Sequence, residues 1–361
     1  MEKIQDVSGY ISEKGAGKMN ASIYDVAQRS GVSIATVSRV LNHSGNVREQ
    51  TVEKVRKAMQ ELHYSENLLA KGLAAQRSSF VGVLIPGELA GNSTYVIECL
   101  SGIGQVLEAA GYHVLLLYES MGGAEACERY LREHLIAGVL TLSASSAPEL
   151  VDRLAQNADC AVGYIGSPKE NFACNVYANY PGYASELVER LQQAGKDKIL
   201  LFCDQPFNMK DLQRCLCGKG IGMEKIEWHC RGKLPSTRWR EEIAEAVAQA
   251  ASAGSAAVFT DSVSEAASVL AVCRSRGFAV PEQVYPITVE HSAQEGRLFV
   301  PGIDTYLVPA REMGEQLAEM VLRRMQGVCQ EERLLIQGKY HPCESIGEDP
   351  IQPETEQFNF L

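Results

Sequence analysis

The sequence predicts an α/β protein in two unlike parts, an N-terminal all-α helix-turn-helix domain followed by a two-lobed core of parallel sheets. Three observations carry this. Residues 23–42 set two short apolar-faced helices around a glycine turn. From Phe80 onward, apolar runs of strand length alternate with helical stretches. Charge divides the same way. Residues 19–78 hold eight Lys/Arg against five Asp/Glu, a net +3, while the whole chain carries −11 and residues 1–18 are neutral. The remainder is therefore at −14, an acidic body behind a small basic head that suits a protein touching phosphate at one end only.

The head justifies its elements residue by residue. Ile23 to Arg29 carries apolar residues at 23, 26 and 27, one face of a short helix. Gly31 can take the positive φ that a tight inter-helix turn requires. Ser33 is then an N-cap for a second helix whose Val37, Val40 and Leu41 point inward. Its outer face is left with Ile34, Ala35, Ser38, Arg39 and Asn42, short or hydrogen-bonding side chains that fit base edges and phosphates. Thr51 to Leu62 reads as a third helix with Val52, Val55, Met59 and Leu62 as its stripe. Residues 67–74 form a short potential helix, marginal alone in water at that length.

The body reads as strand 81–86, helix 95–111, strand 113–118, a helix ending near Leu135, strand 138–142, a further helix and strand 161–166. A second series follows: helix 182–195, strand 198–203, a short helix near 209–219, strand 226–230, helix 239–253, strand 256–260, helix 262–276 and strand 284–289. Such alternation means parallel sheets covered on both faces, here in two lobes. At 361 residues the chain exceeds one ordinary core.

The 11 cysteines are odd in number and scattered, no signal-peptide pattern opens the chain, and no apolar run approaches membrane-spanning length. A reduced, cytoplasmic, nucleoid-associated protein without membrane contact is expected, its thiols mostly small core residues. Cys215-x-Cys217 is the one close pair and lacks a second pair of zinc spacing, so neither metal nor cofactor is expected. Seven dispersed histidines with no nucleophile elbow or phosphate loop argue against an enzyme. Residues 1–18 are either a disordered extension or lie ahead of a true start at Met19.

Tyr24-Asp25-Val26-Ala27, Gly31-Val32-Ser33, Ala35 to Asn42 and the pattern Asn67…Ala70…Leu73-Ala74 together resemble the lactose/galactose repressor (LacI/GalR) family of bacterial transcription regulators. The resemblance runs from Met19 to about Gly347 and implies a sequence-specific repressor that binds a pseudo-palindromic operator as a homodimer. It implies that the second helix enters the major groove, with Ile34 and Ala35 against bases and Arg39 on guanine, while Tyr24, Ser33, Thr36, Ser38, Asn42 and Asn46 hold the backbone. It further implies a hinge helix in which Asn67, Ala70, Leu73 and Ala74 enter the minor groove and Leu73 wedges between base pairs. Glu66, in place of a common proline, and Gly72 depart from that pattern and weaken the hinge.

For the body, the resemblance implies a periplasmic-binding-protein-like effector core that crosses between lobes near 178–180, 302–306 and 328–334. Expected domains are 19–65 for the head, 66–78 for the hinge, 79–346 for the core and 347–361 as a flexible tail. Within the core, lobe 1 takes about 79–178 and 304–329, and lobe 2 about 179–303 and 330–346. Helices 95–111 and 313–327 are expected to contribute to the dimer. The cleft candidates are Ser93, Thr94, Tyr95, Asn179, Asp261, Ser262 and Glu290. Three of the family's polar anchors fall instead on Ala178, on Ser262-Val263 and near Phe207. Each buried polar group left without a partner costs roughly 1–3 kcal/mol, which argues against a typical sugar as effector. The expected partners are therefore duplex operator DNA, a second copy, and either a small molecule unlike a typical sugar or a protein co-regulator. A free solute-binding protein would share the core but has no use for the head.

Overall fold

The structure, a computed structural model, describes residues 21–41, 44–64, 78–85, 87, 93–142, 153, 161–166, 174–203, 207–232, 234–292, 295–328 and 332–342. The chain divides into two compact units, one ending at Ala75 and one beginning at Gln76.

The first unit contains α1 (Ile23–Ser30), α2 (Ile34–Leu41) and α3 (Glu49–Glu61). Val26, Ala27, Val37, Val40, Val55 and Ala58 form its buried centre, and Ile23, Val32, Leu41, Val52, Met59 and Leu62 pack around them. The helical spacing of those apolar positions is what turns three short helices into one core.

The second unit begins with β1 (Phe80–Ile85), α4 (Ser93–Ala109), β2 (His113–Tyr118), α5 (Gly123–Arg132), β3 (Gly138–Thr141), β4 (Ala161–Ile165) and β5 (Cys174–Ala178). It continues through α6 (Tyr180–Gln193), β6 (Lys198–Cys203), α7 (Phe207–Gly218), β7 (Ile226–Cys230), α8 (Ser236–Ala253), β8 (Ala256–Thr260), α9 (Val263–Arg276) and β9 (Val284–Glu290). The last elements are β10 (Asp304–Leu307), α10 (Ala310–Met325), β11 (Glu332–Ile336) and β12 (Lys339–His341). Two six-stranded sheets result, ordered β11-β5-β4-β3-β1-β2 and β12-β10-β9-β8-β6-β7. Every pairing is parallel except β10 with β12. Central strands such as β3, β4, β8 and β9 are buried along their whole length, as sheets covered on both faces demand. No helix among the described residues is long and apolar enough to cross a membrane.

The lobe boundaries differ from the sequence expectation. Asp304–Leu307 pairs with β9 in the second sheet, so the second crossing follows residue 307 rather than lying at 302–306. Glu332–Ile336 pairs with β5 in the first sheet, which moves the third crossing from 328–334 to the two residues between Ile336 and Lys339. Strands of four or five residues have too few positions to display a period, and β11 finds its partner β5 far away in sequence. Strand β5 escaped the sequence reading for the same reason. The helix expected before residue 161 and the tail from 347 lie outside the described residues.

Helix α10 turns one face into its own lobe. Met313, Gly314, Leu317, Ala318, Met320 and Val321 are buried within its own lobe, where it packs along α4 and over β3 to β5. Glycines make that packing possible. A Cβ on Gly102 would run into the Arg311 carbonyl, and one on Gly314 into the Cys99 carbonyl, both backbone atoms. Gly104, two residues along α4, has open space beside it. Gly102→Ala should therefore lower core stability by about 1–3 kcal/mol through overpacking. Gly104→Ala should raise stability by up to about 1 kcal/mol, through helix propensity alone. Urea unfolding followed by circular dichroism checks both, and equal effects would remove the close-approach argument.

Candidate nucleic-acid interface and effector cleft

In the first unit, both ends of the turn are fixed by local chemistry. Ser22 caps α1: its hydroxyl accepts from the Asp25 amide at 3.3 Å, and the Asp25 carboxylate accepts from the Ser22 amide at 2.7 Å. The Ser22 hydroxyl and amide hold the Asp25 carboxyl below its usual range. This reciprocal cap was readable as Ser-x-x-Asp but is one residue outside the stretch that drew attention. Gly31 ends α1 at φ +69° and its amide returns to the Ala27 carbonyl, so a side chain there is strained even with space around it. Ser33 caps α2, accepting from the Thr36 amide at 3.2 Å, while the two hydroxyls lie 2.8 Å apart.

The predicted reading face is largely solvent-facing. Ile34, Ala35 and Arg39 are exposed on α2, and Thr36 and Ser38 are half-buried. Tyr24 is 68% exposed, so it is not a packing residue of this core. Asn46 is exposed beyond α2. Arg29 is occupied with Glu61 at 2.5 Å, which separates it from the basic groups that remain open on the surface. Asn42 and the hinge residues Asn67, Ala70, Leu73 and Ala74 lie outside the described residues.

In the second unit, the cleft candidates gather at the carboxyl ends of the strands, where open α/β sheets hold ligands. Thr260 pairs with Thr288, which sets Asp261 and Ser262 beside Glu290 at the end of β9. Ser93 begins α4, and Thr94 and Tyr95 are half-buried on its first turn. Several of these side chains already have internal work. Asn179 caps α6, accepting from the Gly182 amide at 3.1 Å, and its amide group donates to Gln337 at 2.8 Å. Ser262 caps α9 by accepting from the Glu265 amide at 3.3 Å. Glu290 is fully buried: one oxygen lies 2.7 Å from His341 Nδ1, and the other accepts from the Gly296 amide at 3.2 Å. It is a strut beneath the cleft rather than the solvated loop residue that its position in sequence suggests. Asp261 is half-buried.

His291 was not singled out from the sequence, yet it makes a contact between the two lobes. Its ring meets Tyr95 edge to face, centroids 5.0 Å apart, linking the helix that follows β1 to the turn that follows β9. The Glu295 carboxylate holds that turn by accepting from the His291 and Ser292 amides. Burial pushes the His291 imidazole down to about 4, against the opposing pull of the Val308 backbone and the Glu290 carboxylate. The only sequence signal was its place directly after an acidic strand end.

A folded-state value depressed from 6.5 to about 4 means that the unfolded chain takes up a proton the folded core refuses. The neutral ring therefore favours folding above about pH 6.5, and that contribution is lost as the pH falls from there toward 4. His291→Gln should unfold with a flatter pH dependence across this window. Melting temperatures of both proteins at stepped pH decide it, and parallel curves would dismiss the ring's role.

Comparison with known proteins places both units. Residues 22–67 match the model for bacterial regulatory proteins of the lacI family, and residues 177–345 match the periplasmic binding protein-like domain. The HTH-type transcriptional regulator RegA of Clostridium acetobutylicum is 38% identical over 138 residues, 38% of this chain and 40% of that protein. Catabolite control protein A of Staphylococcus xylosus is 28% identical over 202 residues, 55% of this chain and 60% of that protein. The chain thus spans about half the length of the curated relatives it matches. Among solved structures, a lac repressor dimer bound to operator and the anti-inducer ONPF aligns with TM-score 0.74 and 20% identity, over 90% of this chain and 98% of that one. A complex of the regulator CelR with cellobiose aligns with TM-score 0.61 and 22% identity, over 90% and 99%. At those identities the structures speak for the fold: a helical head and a two-sheet parallel α/β core.

Proposed function

We propose that the chain, whose residues 22–67 match the model for bacterial regulatory proteins of the lacI family, is a DNA-binding transcriptional regulator, a repressor that grips a pseudo-palindromic operator as a homodimer. The observation that carries this reading is the exposed face of α2. Ile34, Ala35 and Arg39 stand clear of a core that α2 itself helps to build, with Tyr24 exposed on α1. In the proposed complex, Ile34 and Ala35 contact thymine methyls and Arg39 reads a guanine through its two-pronged guanidinium. Ser33 and Thr36 fix the start of the reading helix, and Tyr24, Ser38 and Asn46 set it against phosphates. The hinge pattern at 67–74 adds minor-groove contacts in the same proposal.

A two-fold operator needs a two-fold protein. Exposed apolar side chains on the first lobe, Ile97 on α4 and Leu116 and Tyr118 on edge strand β2, support a second copy as the neighbour there. Control of DNA binding is assigned to a small molecule seated between the carboxyl ends of the two sheets. Asn179, Ser262 and Glu290 are already hydrogen-bonded internally, which supports an effector other than a typical sugar. The edge-to-face pair of Tyr95 and His291 offers an aromatic surface instead.

Selection of bound duplexes from a random pool should return an inverted repeat. Arg39→Ala should lose about 1–3 kcal/mol of discrimination at one base pair of each half-site. A pool that yields no enriched duplex in moderate salt would end the proposal. For the effector, calorimetric titration with a sugar panel should show no micromolar binding; one such sugar would overturn the non-sugar reading.

A further inference from the structure

Of the 11 cysteines in the chain, eight lie among the described residues, and none of the eight is in a disulfide. Two of them meet across adjacent strands. In the parallel pairing of β6 with β7, Cys203 is the direct partner of Cys230. They also share a face of the sheet. Ile199, Leu201 and Cys203 of β6, with Ile226 and Trp228 of β7, point into the large core cluster. Leu200 and Phe202 point to the opposite side, where Phe202 stacks on His229, its own register partner, at 4.7 Å. The next residue on both strands returns to the first face, so both thiols emerge together. Adjacent strands run about 4.8 Å apart, inside the roughly 4.4–6.8 Å between Cα atoms that a disulfide spans. The Arg231 amide donates to the Cys203 carbonyl at 3.1 Å and keeps the strands paired just past this point.

Access is asymmetric. Strand β7 is the edge of its sheet, and Cys230, its last residue, is exposed, while Cys203 is 1% exposed. An oxidant from solvent reaches Cys230 first, and the inner thiol waits beside it. The other described thiols offer no equal pair. Cys99, Cys127, Cys174 and Cys273 are buried, and burial lifts the Cys99 and Cys273 thiols to about 12 and about 11. Cys215 and Cys217 are two apart on α7, a spacing that turns side chains away from each other.

We propose that Cys230 and Cys203 form a reversible oxidation site, in which a hydroperoxide converts the dithiol into a disulfide that staples edge strand β7 to β6. The Cys230 thiolate attacks the peroxide; an S–O bond forms and the O–O bond breaks. The leaving oxygen takes the proton that Cys230 gave up and departs as water or an alcohol. Cys203 then attacks the Cys230 sulfur, forming the S–S bond and breaking the S–O bond, and hydroxide leaves with the Cys203 proton as water. Two thiols are oxidised by two electrons and one peroxide is reduced. A cellular dithiol reverses the step by exchange. The staple lies at the carboxyl end of the second sheet, the same edge that carries Thr260, Ser262 and Glu290. The site stands on strand register and exposure alone and does not depend on the DNA-binding proposal.

The full chain, reduced and then treated with stoichiometric hydrogen peroxide, tests this by alkylation and peptide mapping. The Cys203 and Cys230 peptides should be recovered joined, and separated again by dithiothreitol. Cys230→Ser, a surface change, should abolish the joined peptide and leave Cys203 unreactive until the chain is unfolded. Cys203→Ser should trap Cys230 as sulfenic acid, with several-fold more dimedone adduct than the parent protein. The proposal is overturned if Cys230 passes to sulfinic acid in the parent protein with no joined peptide, or if other cysteines pair first.

Discussion

The second unit depends on three crossings of the chain between its sheets and on the hydrogen bonds that fasten them. At the first crossing, the Asn179 amide donates to the Ile336 carbonyl at 3.0 Å, and the Asn179 side chain donates to Gln337 at 2.8 Å, so the first and third crossings are tied directly. At the second, the Val308 amide donates to the Glu290 carbonyl at 2.9 Å. Neither sheet is complete without the returns. The second sheet needs β10 and β12, and the first needs β11 and the cover of α10. The lobes are thus built from interleaved chain, and any displacement between them must bend at a few named residues around 179, 308 and 337. Interleaving makes the linkers part of both cores, which restricts motion to a hinge rather than a loose separation.

Much of this was legible in the sequence where a residue could announce its own surroundings. The strands 113–118, 198–203, 226–230 and 256–260 appeared as apolar runs of the right length, and the structure returns each with the same ends. The helix read at 262–276 is found at Val263–Arg276, between the Ser262 N-cap and Gly277. Legibility failed where an element's identity is conferred by a distant partner. Asp304–Leu307 and Glu332–Ile336 are strands because β9 and β5 offer them an edge, and nothing within four or five residues records which sheet that edge belongs to. The lobe boundary therefore slipped by several residues at two of the three crossings.

The site divided along the same line. On α2 the helical period separates Val37 and Val40, which are buried, from Ile34, Ala35 and Arg39, which are exposed, and a single sequence suffices to make that division. In the cleft, side-chain chemistry named polar candidates but could not say whether they were already in use. Glu290 has both oxygens occupied by His341 and Gly296, one of them 51 residues away. His291, next to it, became neutral and central because burial outweighs the nearby carboxylate. Whether desolvation or charge prevails at such a position is decided by packing from elements that the local sequence does not contain.

Charge distribution sets the last constraint on the proposed mode of action. Residues 19–78 carry only +3, and one of their arginines, Arg29, is paired with Glu61, leaving Arg39, Arg48, Lys54, Arg56 and Lys57 as exposed cations on the described part of the unit. So few cations displace few counterions, and phosphate attraction from one head alone is weak. The body, at −14, adds repulsion wherever it comes within about 10 Å of the duplex at ordinary ionic strength. A single copy would therefore gain little from nonspecific contact. Useful affinity has to come from base-edge contacts made twice, with the second head delivered at high effective concentration by its partner. That requirement, set by charge alone, favours a symmetric pair of heads over an independent monomer that scans DNA electrostatically.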